Sequence, residues 1–333
     1  MGEGRASLSL LQWNPHWQCI VWNINGCREK ATEKFHKMLQ EADVDFANIV
    51  ELEDDISALP LPPAWAALRT ACGLDRVALV YNSRRWRPSG APGARRTGCM
   101  EANDRPFILG KFTSVAGSGG APGDVVVIGA HFPHPAGFGE HLGEEQTHGL
   151  RDALRAVMDT TSTREVILIA DTNEFASTPS STIAQYLGMP GQHVISTSLE
   201  RTCCFDIDFP DWGAFDRIIA NFGRGMDTKL HMQGPIPVWA QEVHHATQRR
   251  GAFHKPLGCV LEMEIAATAP TTSTASAIPV GVARGVAAET TITSTTSPST
   301  SRVATMTATG TTTTSTASTT ISVATVTATG TTT

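Results

Sequence analysis

The sequence predicts an α/β domain built as a mixed sandwich, followed by an unstructured tail. Three observations carry this reading. Strand-like runs outnumber helix-like ones. Several strands follow one another with no helix between them. Composition breaks after residue 267, where charged and aromatic residues nearly vanish. Strict alternation of strand and helix would have predicted a doubly wound parallel sheet instead.

Taken in order, SLSLLQWN (7–14) alternates apolar and polar residues and predicts a strand. EKATEKFHKMLQEA (29–42) places Ala31, Phe35, Met38 and Leu39 at helical spacing. DFANIVELE (45–53) is a short apolar run ending in acids, and RVALVYN (76–82) and PFILGKFTSV (106–115) are further strands. DVVVIGAHF (124–132) predicts a buried strand ending in a histidine. GEEQTHGLRDALRAVMDTT (143–161) is an amphipathic helix. REVILIADTN (164–173) is a buried strand ending in Asp and Asn, and AFDRIIANF (214–222) and PLGCVLEMEI (256–265) complete the set.

The chain has 333 residues, 41% of them apolar, enough for a sizeable core before residue 265. Net charge is −6. Arg284, Arg302 and Glu289 make the tail +1 and leave −7 on the body. An acidic body argues against broad electrostatic capture of nucleic acid, though not against an enzyme that meets phosphates through a metal ion. The seven cysteines form no CxxC pair, so a zinc ribbon is not expected. Cys19 with Cys27 fits a disulfide or two free thiols, which leaves the redox compartment open. MGEGRAS is neither a signal peptide nor a myristoylation site, since Ala6 stands where Ser or Thr is required. No apolar run reaches membrane-span length, and no obligate protein partner is evident.

Residues 1–267 are therefore read as the folded domain and 268–333 as a Thr/Ser-rich tail. In the tail, SRVATMTATGTTTTSTAST is echoed by ISVATVTATGTTT. Such a segment buries too little apolar surface to offset its ordering entropy and is expected to be disordered. If exported, it reads as an O-glycosylated stalk, a weak pointer to an extracellular or cell-surface location. Its Thr and Val content also carries some β-aggregation propensity.

Polar residues recur at strand ends: Asn14, Glu51, His131, Asp171 with Asn173, Asp216, and His254 just before the last strand. Strand ends opening into loops are where ligand sites form. Each residue alone has an ordinary structural reading. Asp171 and Asn173 fit a turn cap, His131 a satisfied core histidine, and Glu51 one of a solvated acidic group with Glu53, Asp54 and Asp55. Their joint order is the informative feature.

In that order the chain resembles the endonuclease/exonuclease/phosphatase (DNase I-like) superfamily over about residues 7–265. LLQWN resembles its opening strand, DFANIVE its D-x-x-x-L-Q-E, RPFILGKF its R-E-P-x-x-x-K-F and IGAHF its N-T-H strand. ADTN resembles G-D-F-N, FDRI resembles Y-D-R-I, and AFHKPL resembles S-D-H-x-P-V. The resemblance implies a four-layer sandwich of two mixed β-sheets flanked by helices. It also implies a Mg²⁺-dependent hydrolase of phosphoric esters, with Mn²⁺ a possible replacement. Mg²⁺ takes oxygen ligands and keeps several waters, so one or two protein carboxylates suffice.

By the same resemblance Glu51 binds the metal and Asn14 binds metal or phosphate. Asp171 orients or deprotonates the attacking water, and Asn173 holds that water or a phosphate oxygen. His131 and His254 stabilise the phosphoryl oxygens. Asp216 orients His254, Asp75 faces His131, and Arg105 is a phosphate anchor or an ion-pair partner. VWNING (21–26) resembles the WNVNG of apurinic endonucleases, so Asn23 stands as the alternative to Asn14.

Two departures matter. Ala170 replaces the glycine of G-D-F-N, and Phe253 replaces the aspartate that precedes the last histidine and contributes to the family's metal site. The second leaves a non-enzymatic alternative: a degenerate fold acting as a binding module on a Thr-rich stalk. The substrate class stays open among nucleic acid, phospholipid and small phosphate ester. HHATQRRGAFHK (244–255) is the one locally basic loop that adjoins His254. A zinc hydrolase ranks low because no H-E-x-x-H is present.

Overall fold

A computed structural model describes residues 6–52, 59–100, 105–115, 123–134, 143–175, 177–191, 193–198, 201–203, 213–232 and 253–263, together with Pro237 and Trp239. The chain divides into Met1–Thr271 and Thr272–Thr333, and every described residue belongs to the first unit. The expectations for the Thr-rich tail, for Glu53, Asp54 and Asp55, and for residues 244–252 of the basic loop lie outside the described residues.

Thirteen strands form two sheets among the described residues. The first contains β1 (Ala6–Trp13), β2 (Phe46–Ile49), β3 (Trp65–Cys72), β4 (Asp75–Asn82), β12 (Gly225–Leu230) and β13 (Leu257–Met263), in the order β12-β13-β1-β2-β4-β3. The second contains β5 (Trp86–Pro88), β7 (Arg105–Ser114), β8 (Asp124–His131), β9 (Val166–Asp171), β10 (Ile195–Ser196) and β11 (Asp216–Ala220), in the order β10-β11-β9-β8-β7-β5. There β6 (Arg95–Met100) also pairs with β7.

Each sheet is mixed around one parallel pair, β1 with β2 and β8 with β9. Parallel neighbours require a crossover, and each receives one. Helix α2 (Cys27–Glu41) lies between β1 and β2, and α3 (Glu144–Thr161) between β8 and β9. Two shorter helices, α1 (Trp17–Trp22) and α4 (Ser180–Tyr186), complete the outer layers.

Period-two alternation divides the apolar residues into three cores. Leu8 and Leu10 of β1 face the space between the sheets, with Phe46, Val77, Leu79, Val125, Val127, Ile167, Ile169 and Ile218. Leu11 and Trp13 of the same strand face the other way, onto Phe35, Met38 and Leu39 of α2. On the far side, Val126, Ile128, Leu168 and Ala170 pack on Leu150, Leu154 and Val157 of α3. These layers are helix, sheet, sheet, helix, the four-layer sandwich that the family resemblance implies. Disulfides join Cys19 to Cys27 and Cys72 to Cys99, while Cys259 is a buried free thiol.

Candidate active site

The strand directions bring the polar residues to one end of the sandwich. The parallel strands deliver their carboxyl ends: Asn14 follows β1, Glu51 lies just beyond β2, His131 ends β8 and Asp171 ends β9. Their antiparallel neighbours deliver amino ends: Asp75 opens β4, Arg105 opens β7, Asp216 opens β11, and His254 precedes β13. Register sets His131 beside Asp171 and Asp171 beside Asp216. Asp75, His131, Asp171 and Asp216 each continue the alternation that buries Val77, Val127, Ile169 and Ile218 in the central core.

Two histidine–carboxylate pairs result, each bridging the two sheets. His254 Nδ1 lies 2.6 Å from Asp216 Oδ2, and His131 Nδ1 lies 2.7 Å from Asp75 Oδ2. A carboxylate only accepts, so each Nδ1 carries the proton and Nε2 is left for other chemistry. Asp216 is fixed in turn by Gln12, whose Nε2 donates to Oδ1 at 3.0 Å. Gln12 Oε1 accepts from Asn48 Nδ2 at 2.7 Å. A glycine opposite makes room, because a Cβ at Gly129 would lie 2.5 Å from Asn48 Oδ1.

Asp171 stands between the pairs. Its Oδ2 is 3.6 Å from both His131 Nε2 and His254 Nδ1, and accepts from Asn14 Nδ2 at 3.0 Å. Its Oδ1 accepts the Asn173 backbone N–H at 3.1 Å. Burial favours the neutral acid, but the imidazoles of His254 and His131 and these two hydrogen bonds hold Asp171 down at about 2. Burial likewise opposes charge on His254, yet Asp216 and then Asp171 raise it to about 9. His131 is raised by Asp75 against burial and against Arg105, while burial of Asp75 is overridden by His131 and Arg105, which lower it.

Arg105 is not an open anchor: its Nη1 donates to Asp75 Oδ2 at 2.9 Å and lies 3.0 Å from His131 Nδ1. Asn173 uses its Nδ2 on the Phe132 carbonyl at 2.8 Å, tying the exits of β8 and β9 together. Asn14 is the asparagine the fold brings here. Asn23 instead ends α1 in left-handed conformation, accepts the Arg28 N–H at 2.9 Å and donates to Glu29 at 3.0 Å.

Glu51 and Asn14 meet through one turn. Asn14 Oδ1 accepts the His16 N–H at 2.9 Å, and Glu51 Oε2 accepts the next amide, Trp17, at 3.2 Å. The Glu51 carboxylate also faces His16 Nδ1 at 3.6 Å and His131 Nε2 at 3.9 Å. His16, Glu51 and Asn173 all have positive φ (66°, 56° and 49°). Such backbone strain collects at functional sites.

Asp171, Asp216 and His254 lie close enough to hold a cation, with ligand atoms within 4.8 Å. Hydrogen bonds already reach both oxygens of each aspartate, as one also reaches the Asn14 amide oxygen, so a cation at either place would share those oxygens with existing donors. Glu51 is half-buried and accepts the neutral Trp17 amide at Oε2, so with the Asn14 amide oxygen it offers the oxygen donors a hard cation prefers.

Phe253 adds no donor. Its ring packs edge-on against Trp13 and Trp239, at 6.1 and 5.4 Å, in the core shared with α2. Three residues went unremarked in the sequence. Gln12 and Asn48 build the relay behind Asp216. Arg217 is buried and donates to the carbonyls of Ala214, Thr178, Phe175 and Glu174, holding the loop after Asp171. A charged residue inside the apolar run DRIIA was the available signal for Arg217. Polar residues inside LLQW and FANI were the signal for the other two.

No family model matches the sequence, and no curated protein matches it. Solved structures do. An endonuclease/exonuclease/phosphatase from Bacteroides vulgatus superposes with TM-score 0.51 at 12% identity, covering 78% of this chain and 100% of that one. The human Nocturnin catalytic domain, with a bound sulfate anion, gives TM-score 0.54 at 12% identity, covering 77% and 96%. A mannosyl-6-phosphatase from Bacteroides thetaiotaomicron gives TM-score 0.51 at 12% identity, covering 77% and 100%. The chain has the fold these proteins share, the DNase I-like fold of the endonuclease/exonuclease/phosphatase superfamily.

Proposed function

We propose that the chain is a divalent-metal-dependent hydrolase of phosphoric esters, using Mg²⁺ or Mn²⁺. The observation that carries this is the convergence of two buried histidine–aspartate pairs on Asp171, with Glu51 and Asn14 alongside. Glu51 and Asn14 are the residues that would hold the ion, which when bound supplies charge neutralisation at the phosphoryl group.

The chain's own residues account for the remaining needs. His254 is protonated at neutral pH and presents Nε2–H as a charge-assisted donor to a phosphoryl oxygen, strengthening as negative charge builds there. His131, whose charged form Asp75 favours, presents its Nε2 from the opposite sheet. Asp171 stays ionised, orients the attacking water and takes up its proton as the new P–O bond forms and the ester P–O bond breaks, the leaving oxygen drawing its proton from solvent. Asn173 holds the loop exit that keeps Asp171 in place. Arg105 sets the Asp75 carboxylate that orients His131, and its Nε is a buried donor with no partner among the described residues. The substrate is a phosphoric ester; the acidic body favours a small one over a nucleic-acid polymer.

Hydrolysis of bis-p-nitrophenyl phosphate in Mg²⁺ or Mn²⁺ is the direct test. Turnover should vanish in EDTA and fall at least ~10²-fold in Glu51→Gln and His254→Ala. Turnover that survives those changes overturns the reading. One observation favours a second reading, a degenerate domain that binds without turnover: Phe253 offers no oxygen where the resembled family has an aspartate. Metal-independent binding of a ligand, with no turnover across an ester panel, would select it.

A further inference from the structure

Aromatic contacts lead outward from Glu51. Its Oε2 lies 3.6 Å from His16 Nδ1 and accepts the Trp17 backbone N–H at 3.2 Å. The His16 and Trp17 ring centroids are 5.9 Å apart, and those of Trp17 and Trp22 are 5.0 Å apart. Exposure rises along this run: His16 is buried, Trp17 half-buried and Trp22 50% exposed. Resting on the hydrolase reading above, we propose that Trp17 and Trp22 form a specificity subsite for a flat aromatic group esterified to the substrate phosphate.

A lone exposed apolar residue means little. Trp22 differs because two ring contacts connect it to a carboxylate of the candidate site. Large apolar side chains exposed among the described residues are Trp22, Leu74 and Val260, so Trp22 is the one aromatic among them. The pair also has a shape. The planes of Trp17 and Trp22 meet at 78°, an edge-to-face arrangement. The face of one ring and the edge of the other form a corner, in which a third ring stacks on the face and meets the edge. An alkyl group would gain only its buried area there.

The mount is rigid. Trp17 and Trp22 are the first and last residues of α1, a helix too short to be stable by its own hydrogen bonds. Three other attachments hold it. His16 Nδ1 caps its start by accepting the Gln18 N–H at 3.2 Å. The Cys19–Cys27 disulfide ties it to α2. Arg28 Nε and Nη2 donate to the carbonyls of Ile20 and Val21 at 2.6 and 3.1 Å. A pre-set aromatic pair loses little freedom when it binds.

The test compares diesters that release the same p-nitrophenolate and differ in the second ester group, which is methyl, naphthyl or thymidinyl. After correction for spontaneous hydrolysis, the full chain in Mg²⁺ or Mn²⁺ should prefer an aromatic ester over the methyl one by roughly tenfold in kcat/KM. An aryl group and a nucleobase are two sources of the same flat ring, and the larger preference identifies the source. Trp17→Ala and Trp22→Ala should abolish the preference, while Trp22→Phe should keep most of it, a pattern that simple loss of folding does not give. Turnover with no aromatic preference, or wild-type preference in both alanine variants, overturns the subsite and leaves the hydrolase reading standing. Calorimetric titration with naphthylmethylphosphonate against methylphosphonate reads the subsite without turnover. Tighter binding of the naphthyl compound, lost in Trp22→Ala, supports the subsite even if every ester is inert, an outcome that overturns the hydrolase reading alone. Equal binding of the two phosphonates overturns the subsite.

Discussion

His131 and His254 are both buried, both give Nδ1 to an aspartate that opens a strand of the other sheet, and both lie 3.6 Å from Asp171. Their surroundings differ. His254 sits between two acids, Asp216 and Asp171, and Asp216 is steadied by a neutral amide from Gln12. His131 also has two acids beside it, Asp75 and Asp171, but a cation opposes them, because Arg105 reaches the same Asp75 oxygen and lies 3.0 Å from the ring. The charge on His254 is thus supported from two sides, while that on His131 is a balance of opposing neighbours. The same pair of residue types gives a robust cation in one place and a tunable one in the other.

The largest expected effect breaks that balance. Asp75→Asn leaves His131 with Asp171 set against both burial and Arg105, so its pKa should fall and kcat should drop ~10²–10³-fold. Imidazole ¹⁵N shifts report the protonation, and an unchanged His131 titration would break the comparison.

Asp216→Asn should do less, because Asp171 still supports His254 and no cation among the described residues opposes it. A loss nearer tenfold in kcat is expected, along with about 1–3 kcal/mol of stability from unpairing a buried network. Equal losses in both variants would show that the pairs are equivalent. Arg105→Gln should act in the opposite sense and raise the His131 pKa, moving the alkaline limb of the pH–rate profile upward.

The smallest effect is on stability. His254 titrates at about 9 in the fold against an ordinary 6.5, so its contribution is fully present below pH 6.5 and is lost as pH rises through 9. Denaturant unfolding across that range should show the decline, and His254→Gln should flatten it.

What the sequence made legible follows the physics of burial. β1, β8 and β9 are buried on both faces or nearly so, and their apolar runs announce them within one or two residues of the observed ends. β3 and β12 are half-exposed edge strands with weak alternation, and β5 and β10 span only three and two residues, so none of them carries a periodic signal. Helix α1 has six residues, too few to show a period. The order of polar strand ends pointed to the polar cluster, but which asparagine joins Asp171 depended on a contact 157 residues away, invisible to local pattern. The Gln12–Asn48 relay was hidden for the same reason, since its partners lie on three different strands.

Phe253 couples aromatic packing to the backbone of the polar cluster. Its ring is wedged between Trp13 and Trp239, and the Trp13 indole N–H in turn donates to the His254 carbonyl at 3.0 Å. An aspartate at 253 would place an unpaired carboxylate in an aromatic seam and disturb the backbone that presents His254. A single substitution at this position therefore cannot add an oxygen donor to the site without loosening the histidine beside it.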